Sequence, residues 1–491
     1  MRLIVVNDRS FVDPVVDASG ALVRDRSGQV RGELDPGGLA TALTEPGLPA
    51  LFVSSVRTPA QGALAVRGGV PVDTGGAVLR VRLVPTEPAA YRLFYDVAAN
   101  RLLWLLHHGC WPRPDLDRRD LDAFRDGYRV VNENLARAVA EEVGDAGGPV
   151  HVVWQDYQLY LAPALTRAAL PAGVLDRTVL QHFVHVPFPG PGPWRALPPV
   201  LVRQLLSGLL GNDLVGFQLP RHAREFVLCC QHFLGLDADL DAGVVRLPDG
   251  RAVRVASYPV PASSRHLAAT VQSGATREHR AALRRDGRGR RLVFRTERVD
   301  PVKAFPEALR AFAGVLRRPG ITGTVRYVAQ LVPARMTIPE WTQLRWECER
   351  FAAEINALEP GEPVQLTFGR SFERVVAGYL DYDVLDVVPR ADGMNLVALE
   401  GPLINQRDGV LVLSRTAGAY QVLAPHALGV EPTSVEEHSD ALHHALTMPP
   451  GERAERARGL RELASAGDPT MWLRSQLADA SRWRRAGASP Q

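Results

Sequence analysis

The sequence predicts an α/β protein of two parallel-sheet domains. Three observations predict it. Short β-branched runs alternate with longer amphipathic stretches along the chain. A polar, arginine-rich, glycine-dotted stretch at 265–290 interrupts that alternation once. The 491 residues suffice for two large domains, or one large and two small, at roughly 100–200 residues per domain. Alternating β and α elements imply parallel sheets with helices on both faces. In such sheets ligands bind at the carboxyl ends of the strands.

In order along the chain, residues 3–6, 51–54, 150–154, 179–184 and 214–217 read as buried strands of a first domain. Residues 121–143 and 198–210 read as helices between them, and 244–258 as a hairpin around the turn Pro248-Asp249-Gly250. The stretch 265–290 marks the expected domain boundary. Beyond it, strands are expected at 291–295, 325–331, 364–367, 384–388 and 410–414, with helices at 305–317 and 338–358. Residues 453–483 read as helical, with the end of the chain crossing back to the first domain. The expected division is therefore 1–262, 263–465 and a returning segment 466–491.

Composition excludes several classes. Hydrophobic residues make up 46% and charged residues 23%, an ordinary globular balance. With 57 Lys and Arg against 54 Asp and Glu, the net charge of +3 argues against nucleic acid as the main partner. The four cysteines, Cys110, Cys229, Cys230 and Cys348, give neither a disulfide framework nor a zinc pattern. Arg2 is followed by only four apolar residues before Asn7-Asp8-Arg9, too few for a signal peptide, and no apolar run is long enough to span a membrane. A cytoplasmic protein is expected.

Among the 57 basic residues there is one lysine, Lys303; arginine serves everywhere else. Lysine is a compact point charge and arginine a planar fork. Lys303 follows the strand at 291–295, in Glu297-Arg298-Val299-Asp300-Pro301-Val302-Lys303, so two cations stand in one strand-end loop. A diphosphate leaving group is stabilised by two cations and backbone dipoles. After the strand at 384–388, Asp392-Gly393 forms a turn into a helix through Met394, Asn395 and Leu396, whose N-terminus can face phosphates. Glu400 lies further along that helix, within reach of a ribose diol. In the first domain, Gly37-Gly38 opens a helix, where backbone N–H groups can approach a ligand or simply turn the chain. Trp154-Gln155-Asp156-Tyr157 ends one strand, and Asp156 either accepts sugar hydroxyls or caps the next helix. His185 ends the next strand, within a Pro-broken segment, as a ligand-facing or a core histidine. The string Asp237-Ala238-Asp239-Leu240-Asp241 has the look of a metal site but sits in a loop before the hairpin, and reads as solvated surface.

These motifs together resemble glycosyltransferase family 20, the trehalose-6-phosphate synthase family. Asp392-Gly393-Met394-Asn395-Leu396-Val397-Ala398 with Glu400 is similar to its donor signature. His185-Val186-Pro187-Phe188-Pro189 resembles its His-Ile-Pro-Phe-Pro, and Arg298 with Lys303 its Arg-x-Asp-x-x-Lys pair. Gly37-Gly38-Leu39-Ala40, Tyr95, Trp104 and Ala417-Gly418-Ala419 match in the same order, from residue 1 to about 425. The resemblance implies a GT-B fold, two Rossmann-like domains with parallel sheets facing a central cleft. It implies retaining transfer of glucose from a nucleoside-diphosphate glucose to glucose 6-phosphate, with no metal and no cofactor. It assigns Arg298 and Lys303 to the diphosphate, Glu400 to the ribose, and Asp392, Gly393, Met394, Asn395 and Leu396, with Gly38, to the donor. It assigns His185 and Asp156 to positioning the sugars, and Arg9 and Arg335, with Tyr95 and Trp104, to the acceptor and its phosphate. It leaves room for a homo-oligomer.

The sequence departs from the family where Ser-Asn-Arg becomes Asn7-Asp8-Arg9, where His-Asp-Tyr becomes Gln155-Asp156-Tyr157, and at Pro301 and 401–408. The last two, with Pro333-Ala334-Arg335, are similar to glucosylglycerol-phosphate synthases and to the pseudo-glycosyltransferase that makes validoxylamine 7′-phosphate. Glycerol 3-phosphate and an aminocyclitol phosphate therefore stand as alternative acceptors. A non-catalytic sugar-phosphate-binding regulator is a third reading.

Overall fold

A computed structural model describes residues 1–35, 38–110, 116–287 and 289–487. Pro36 and Gly37 of the glycine motif lie outside the described residues. The chain forms two compact units, Met1–Pro259 with Thr470–Gln491, and Val260–Pro469.

The first unit is built on a parallel sheet of strands β1 (Arg2–Arg9), β2 (Ala50–Ser55), β3 (Val78–Val84), β4 (Val150–Gln155), β5 (Thr178–Val184), β6 (Leu214–Phe217) and β7 (Ala252–Ser257). Their order is β3-β2-β1-β4-β5-β6-β7, all parallel. Every residue of β4 and β6 is buried, as expected of strands covered on both faces. The hairpin at 244–258 forms, with Val244–Arg246 antiparallel to β7. The order runs outward from β1 through β2 and β3 on one side and from β4 on the other, so it reverses between β1 and β4.

The second unit carries six parallel strands: β8 (Arg291–Arg298), β9 (Val325–Val332), β10 (Val364–Phe368), β11 (Val384–Val387), β12 (Val410–Ser414) and β13 (Leu428–Val430). Their order is β10-β9-β8-β11-β12-β13. This is the doubly wound order 3-2-1-4-5-6, with its reversal between β8 and β11. The helix Phe305–Leu316 covers one face, and Ala308, Leu309, Phe312 and Val315 join a core with strand residues Val293, Tyr327 and Val412.

Four local expectations change. The stretch 265–290, read as the domain boundary, lies wholly within the second unit. It folds as the helices Ser264–Val271 and Gly274–Gly287, and Arg280 and Arg284 both chelate the carboxylate of Asp381; its polar residues are one solvated helix face. The helix expected at 121–143 begins at Arg118 and widens to a π-helical turn at Phe124–Tyr128. Gly127 sits there because a side chain would overlap the Leu93–Phe94 backbone of a second π-helical segment, Leu93–Leu103. The helix expected at 453–483 is two, Pro450–Ser465 and Pro469–Gly487, broken at Ala466-Gly467-Asp468 ahead of Pro469. The acidic string at 237–241 is part strand: Ala238–Asp239 pairs with Val244–Arg246, and Asp239 accepts the backbone N–H of Asp241 and Ala242. Among the described residues no group of three His, Cys, Asp or Glu could hold a metal ion. No described helix is long and apolar enough to cross a membrane.

Candidate active site

Both reversal points carry the residues the sequence singles out. In the first unit, Arg9 ends β1 and Asp156 follows β4, the two strands on either side of the reversal. His185 follows β5 and Gln218 follows β6, so four neighbouring strand ends each contribute a polar side chain.

Asp156 does not cap the next helix: its side chain makes no capping bond there. Its carboxylate instead accepts the backbone N–H of His185 at 3.0 Å and of Val186 at 3.3 Å, both through Oδ1. The residue adopts φ 64° and ψ −179°, a region that L residues avoid. Burial pushes its carboxyl up to about 7, with the neighbouring Asp8 adding to the shift and the backbone N–H groups opposing it. His182 bonds the Asp156 carbonyl through Nε2 at 2.9 Å. Arg9 donates to the Tyr95 hydroxyl at 3.2 Å and lies over its ring, while Tyr95 stacks on Tyr91. Trp104 is buried against Tyr157, centroids 5.7 Å apart, one residue past Asp156. Gly38 opens the helix Gly38–Thr44 in the first unit, whereas the rest of the expected donor set belongs to the second.

In the second unit the loops after β8 and β11 meet. Lys303 Nζ lies 2.5 Å from Asp392 Oδ2, and Asn395 donates to the same oxygen at 3.1 Å. Arg298 is the exposed last residue of β8. Gly393 and Met394 are buried, and Asn395, at φ 74°, turns the chain into the helix Leu396–Ile404. Glu400, on that helix, accepts the Tyr379 hydroxyl at 3.1 Å. Burial pushes its carboxyl up to about 7, with the Tyr379 bond pulling the other way. Arg335, at φ 54°, pairs with buried Asp300 at 2.5 Å and lies over Trp341. It belongs to the second unit, whereas Arg9, Tyr95, Trp104 and Asp156 belong to the first.

Six non-glycine residues have positive φ among those described, and four, Asp156, Ala304, Arg335 and Asn395, are in or beside these clusters. Strain of this kind persists where the surroundings over-determine it. Behind the Lys303 loop stands a buried network: Arg295 donates to the Lys303 carbonyl, to Glu297 at 2.8 Å and to Asp386 at 3.1 Å. Asp386 also accepts Tyr327 at 2.6 Å and His438 at 2.8 Å. Burial alone would raise the Asp386 carboxyl, yet His438 and Arg295 hold it well below the usual range. Sequence reasoning missed this network, because its members come from four separate elements. It also missed Gln218, although reading past the end of β6 would have found it.

Gly418 is a tight point in the site. A side chain there would overlap the Gly393 carbonyl oxygen. Gly418→Ala is expected to displace the 392–395 loop, to cost about 1–3 kcal/mol of stability and to raise the KM for a donor more than that for an acceptor. Unchanged donor KM would contradict the assignment.

In a doubly wound sheet ligands bind at the reversal point, and in the second unit Lys303, Asp392 and Asn395 stand there. The sequence pattern of glycosyltransferase family 20 matches residues 73–482, and the chain belongs to that family; it is a glycosyltransferase. It is 32% identical to the trehalose-6-phosphate synthase of Mycolicibacterium vanbaalenii, over 96% of this chain and 94% of the relative. It is 29% identical to the validamine 7-phosphate valienyltransferase of Streptomyces hygroscopicus subsp. jinggangensis, over 82% of this chain and 79% of the relative. The crystal structure of the UDP-forming α,α-trehalose-phosphate synthase of Burkholderia xenovorans in complex with glucose 6-phosphate superposes with a TM-score of 0.79 at 25% identity, covering 98% of this chain and 100% of that one. The fold is thus GT-B, the two-domain arrangement of parallel sheets that the sequence predicts.

Proposed function

We propose that this chain is a metal-independent, retaining glycosyltransferase that moves glucose from a nucleoside-diphosphate glucose to glucose 6-phosphate, forming trehalose 6-phosphate. The observation that carries the reading is the Lys303–Asp392 pair, with Asn395, at the β8/β11 reversal. Lys303 and Arg298 hold the diphosphate. Glu400 takes the ribose, and Asp392, Gly393, Met394, Asn395 and Leu396 meet the sugar and phosphates. In the first unit Asp156 and His185 position the sugars, Arg9 holds the acceptor phosphate, and Tyr95 and Trp104 wall its pocket. The acceptor hydroxyl attacks the anomeric carbon on the face the diphosphate leaves. The bond to the diphosphate breaks, and the hydroxyl proton passes to the departing phosphate oxygen. Such a reaction needs positioning and cations more than a protein base. A cytoplasmic enzyme without a cofactor fits this chemistry.

A second reading keeps the donor site and takes an aminocyclitol phosphate or glycerol 3-phosphate as acceptor. The valienyltransferase relative and the departures at 301, 333–335 and 401–408 favour it.

The test supplies UDP-, GDP- and ADP-glucose in turn, with and without glucose 6-phosphate, and reads nucleotide release and product mass. A phosphorylated disaccharide formed only with glucose 6-phosphate, α at the donor carbon by NMR and undiminished by excess chelator, is the expected result. Loss of turnover in chelator would overturn metal independence. Release only with an aminocyclitol phosphate would establish the second reading, and nucleotide binding without turnover on any pair would favour a regulator.

A further inference from the structure

His185 is gripped at both ring nitrogens. Gln155, the last residue of β4, faces Nε2 through Oε1 at 2.8 Å, and Gln218 turns its amide N–H toward Nδ1 at 3.2 Å. Nδ1 is then the lone-pair nitrogen, so Nε2 carries the hydrogen and donates it to Gln155. A second proton on Nδ1 would meet the Gln218 amide donor against donor. Among the described residues, the rings packed against His185 offer an imidazolium no counter-charge. Phe183 and Trp472 are uncharged, with centroids 4.6 and 6.2 Å away. His182 is itself pushed down to about 3 by burial. The Asp156 carboxylate is turned to the backbone N–H groups of residues 185 and 186. Burial acts in the same direction and pushes His185 down to about 3. The cost of the arrangement is visible: Gln155 Nε2 is buried without a hydrogen-bond partner. Where this chain has Gln155, the family's His-Asp-Tyr pattern has a group that can titrate.

We propose that Gln155 is a positioning residue for glycosyl transfer, fixing His185 as the neutral Nε2–H tautomer in a single ring orientation. The group beside the reacting sugars then neither gains nor loses a proton across the working pH range. The inference rests on the reading of His185 as a sugar-positioning group, and its test has an arm independent of turnover.

The full chain, labelled with 15N-histidine, is followed by NMR from about pH 5.5 to 8.5, the range in which free imidazole titrates; His185→Asn identifies the His185 signal. The expected wild-type signal is an unchanging Nε2–H pattern. In Gln155→Leu nothing holds the Nε2 hydrogen and the Gln218 amide can turn either its N–H or its oxygen to Nδ1, so both tautomers appear, and kcat falls about tenfold with both KM values within about twofold, the mark of lost orientation rather than lost binding. In Gln218→Glu a carboxylate faces Nδ1, so the signal titrates within the range and the kcat–pH profile gains a limb. A wild-type His185 signal that titrates, or a Gln155→Leu protein that keeps the Nε2–H pattern and wild-type kcat, overturns the proposal. Absence of transfer by the wild type would overturn the functional reading instead, and the tautomer pattern would still decide the role of Gln155.

Discussion

Lys303→Ala is expected to lower kcat by about a thousandfold or more, the scale on which losing a charge that stabilises a developing anion is felt, while thermal stability changes little. The fold survives because the loop is held by its backbone. The Lys303 carbonyl accepts Arg295, its N–H donates to the Asp300 carbonyl at 2.9 Å, and the Val302 carbonyl accepts the Arg390 N–H at 2.8 Å. Asp392 keeps Asn395 as a partner. On the proposed function, the lost group is the cation that the departing diphosphate meets. Lys303→Arg is expected to recover little, because a planar fork does not reproduce a point charge in a socket where the lysine side chain is only 14% exposed. Steady-state nucleotide release with a parallel melting curve decides it. Near-normal turnover in Lys303→Ala would remove the diphosphate assignment.

Asp156→Asn is expected to cut kcat/KM about a hundredfold, the scale of a charge-assisted hydrogen bond lost to substrate. Both backbone N–H groups bond Oδ1, which asparagine also has, so the 185–186 segment keeps its anchor. What changes is the second oxygen, which becomes a donor. The stability change has a definite sign. The folded carboxyl is raised to about 7, above its unfolded value near 4, so folding disfavours the charged form. The wild type has its full stability from this group below about pH 4 and loses it as pH rises toward about 7. Asparagine does not titrate, so the variant is expected to gain on the wild type in melting temperature across that interval and to match or exceed it at about pH 8. Its activity still falls at low pH, because Glu400 also protonates near about 7. A melting-temperature difference that is flat with pH would show that Asp156 is not perturbed.

Much of this was legible because parallel strands announce themselves. β4 is Val-rich and buried on both faces, and the rule that ligands sit past the carboxyl ends of strands leads from β8 to Lys303 and from β11 to Asp392 without any knowledge of contacts. Asp156 was legible as a candidate, but not that it leaves the next helix uncapped and bonds the backbone of residues 29 and 30 positions away. The 265–290 stretch misled because a helix with one solvated face, paired to a distant Asp381, has the composition of a linker. The π-helical segment that presents Tyr95 left no local signal. Tyr95 within it and Trp104 just after it were reached only through family resemblance. The grip on His185 needed three strands in register.

The helix Pro469–Gly487 completes the first unit: Gln476 accepts Gln181, Asp479 accepts the Tyr258 hydroxyl, and the indoles of Trp472 and Trp483 bond the carbonyls of Tyr258 and Ala252. During synthesis this helix leaves the ribosome only after the whole of the second unit. About 210 residues separate Pro259 from Thr470, so at about 5–20 residues per second the first unit waits ~10–40 s for its closing piece. Throughout that interval the carbonyls of Ala252 and Tyr258 and the side chain of Gln181 lack these partners, while the second unit has its whole sequence and can fold. The order of birth is therefore the reverse of the order of completion, and the nascent chain is most open to chaperones and proteases around the β5–β7 half of its first sheet.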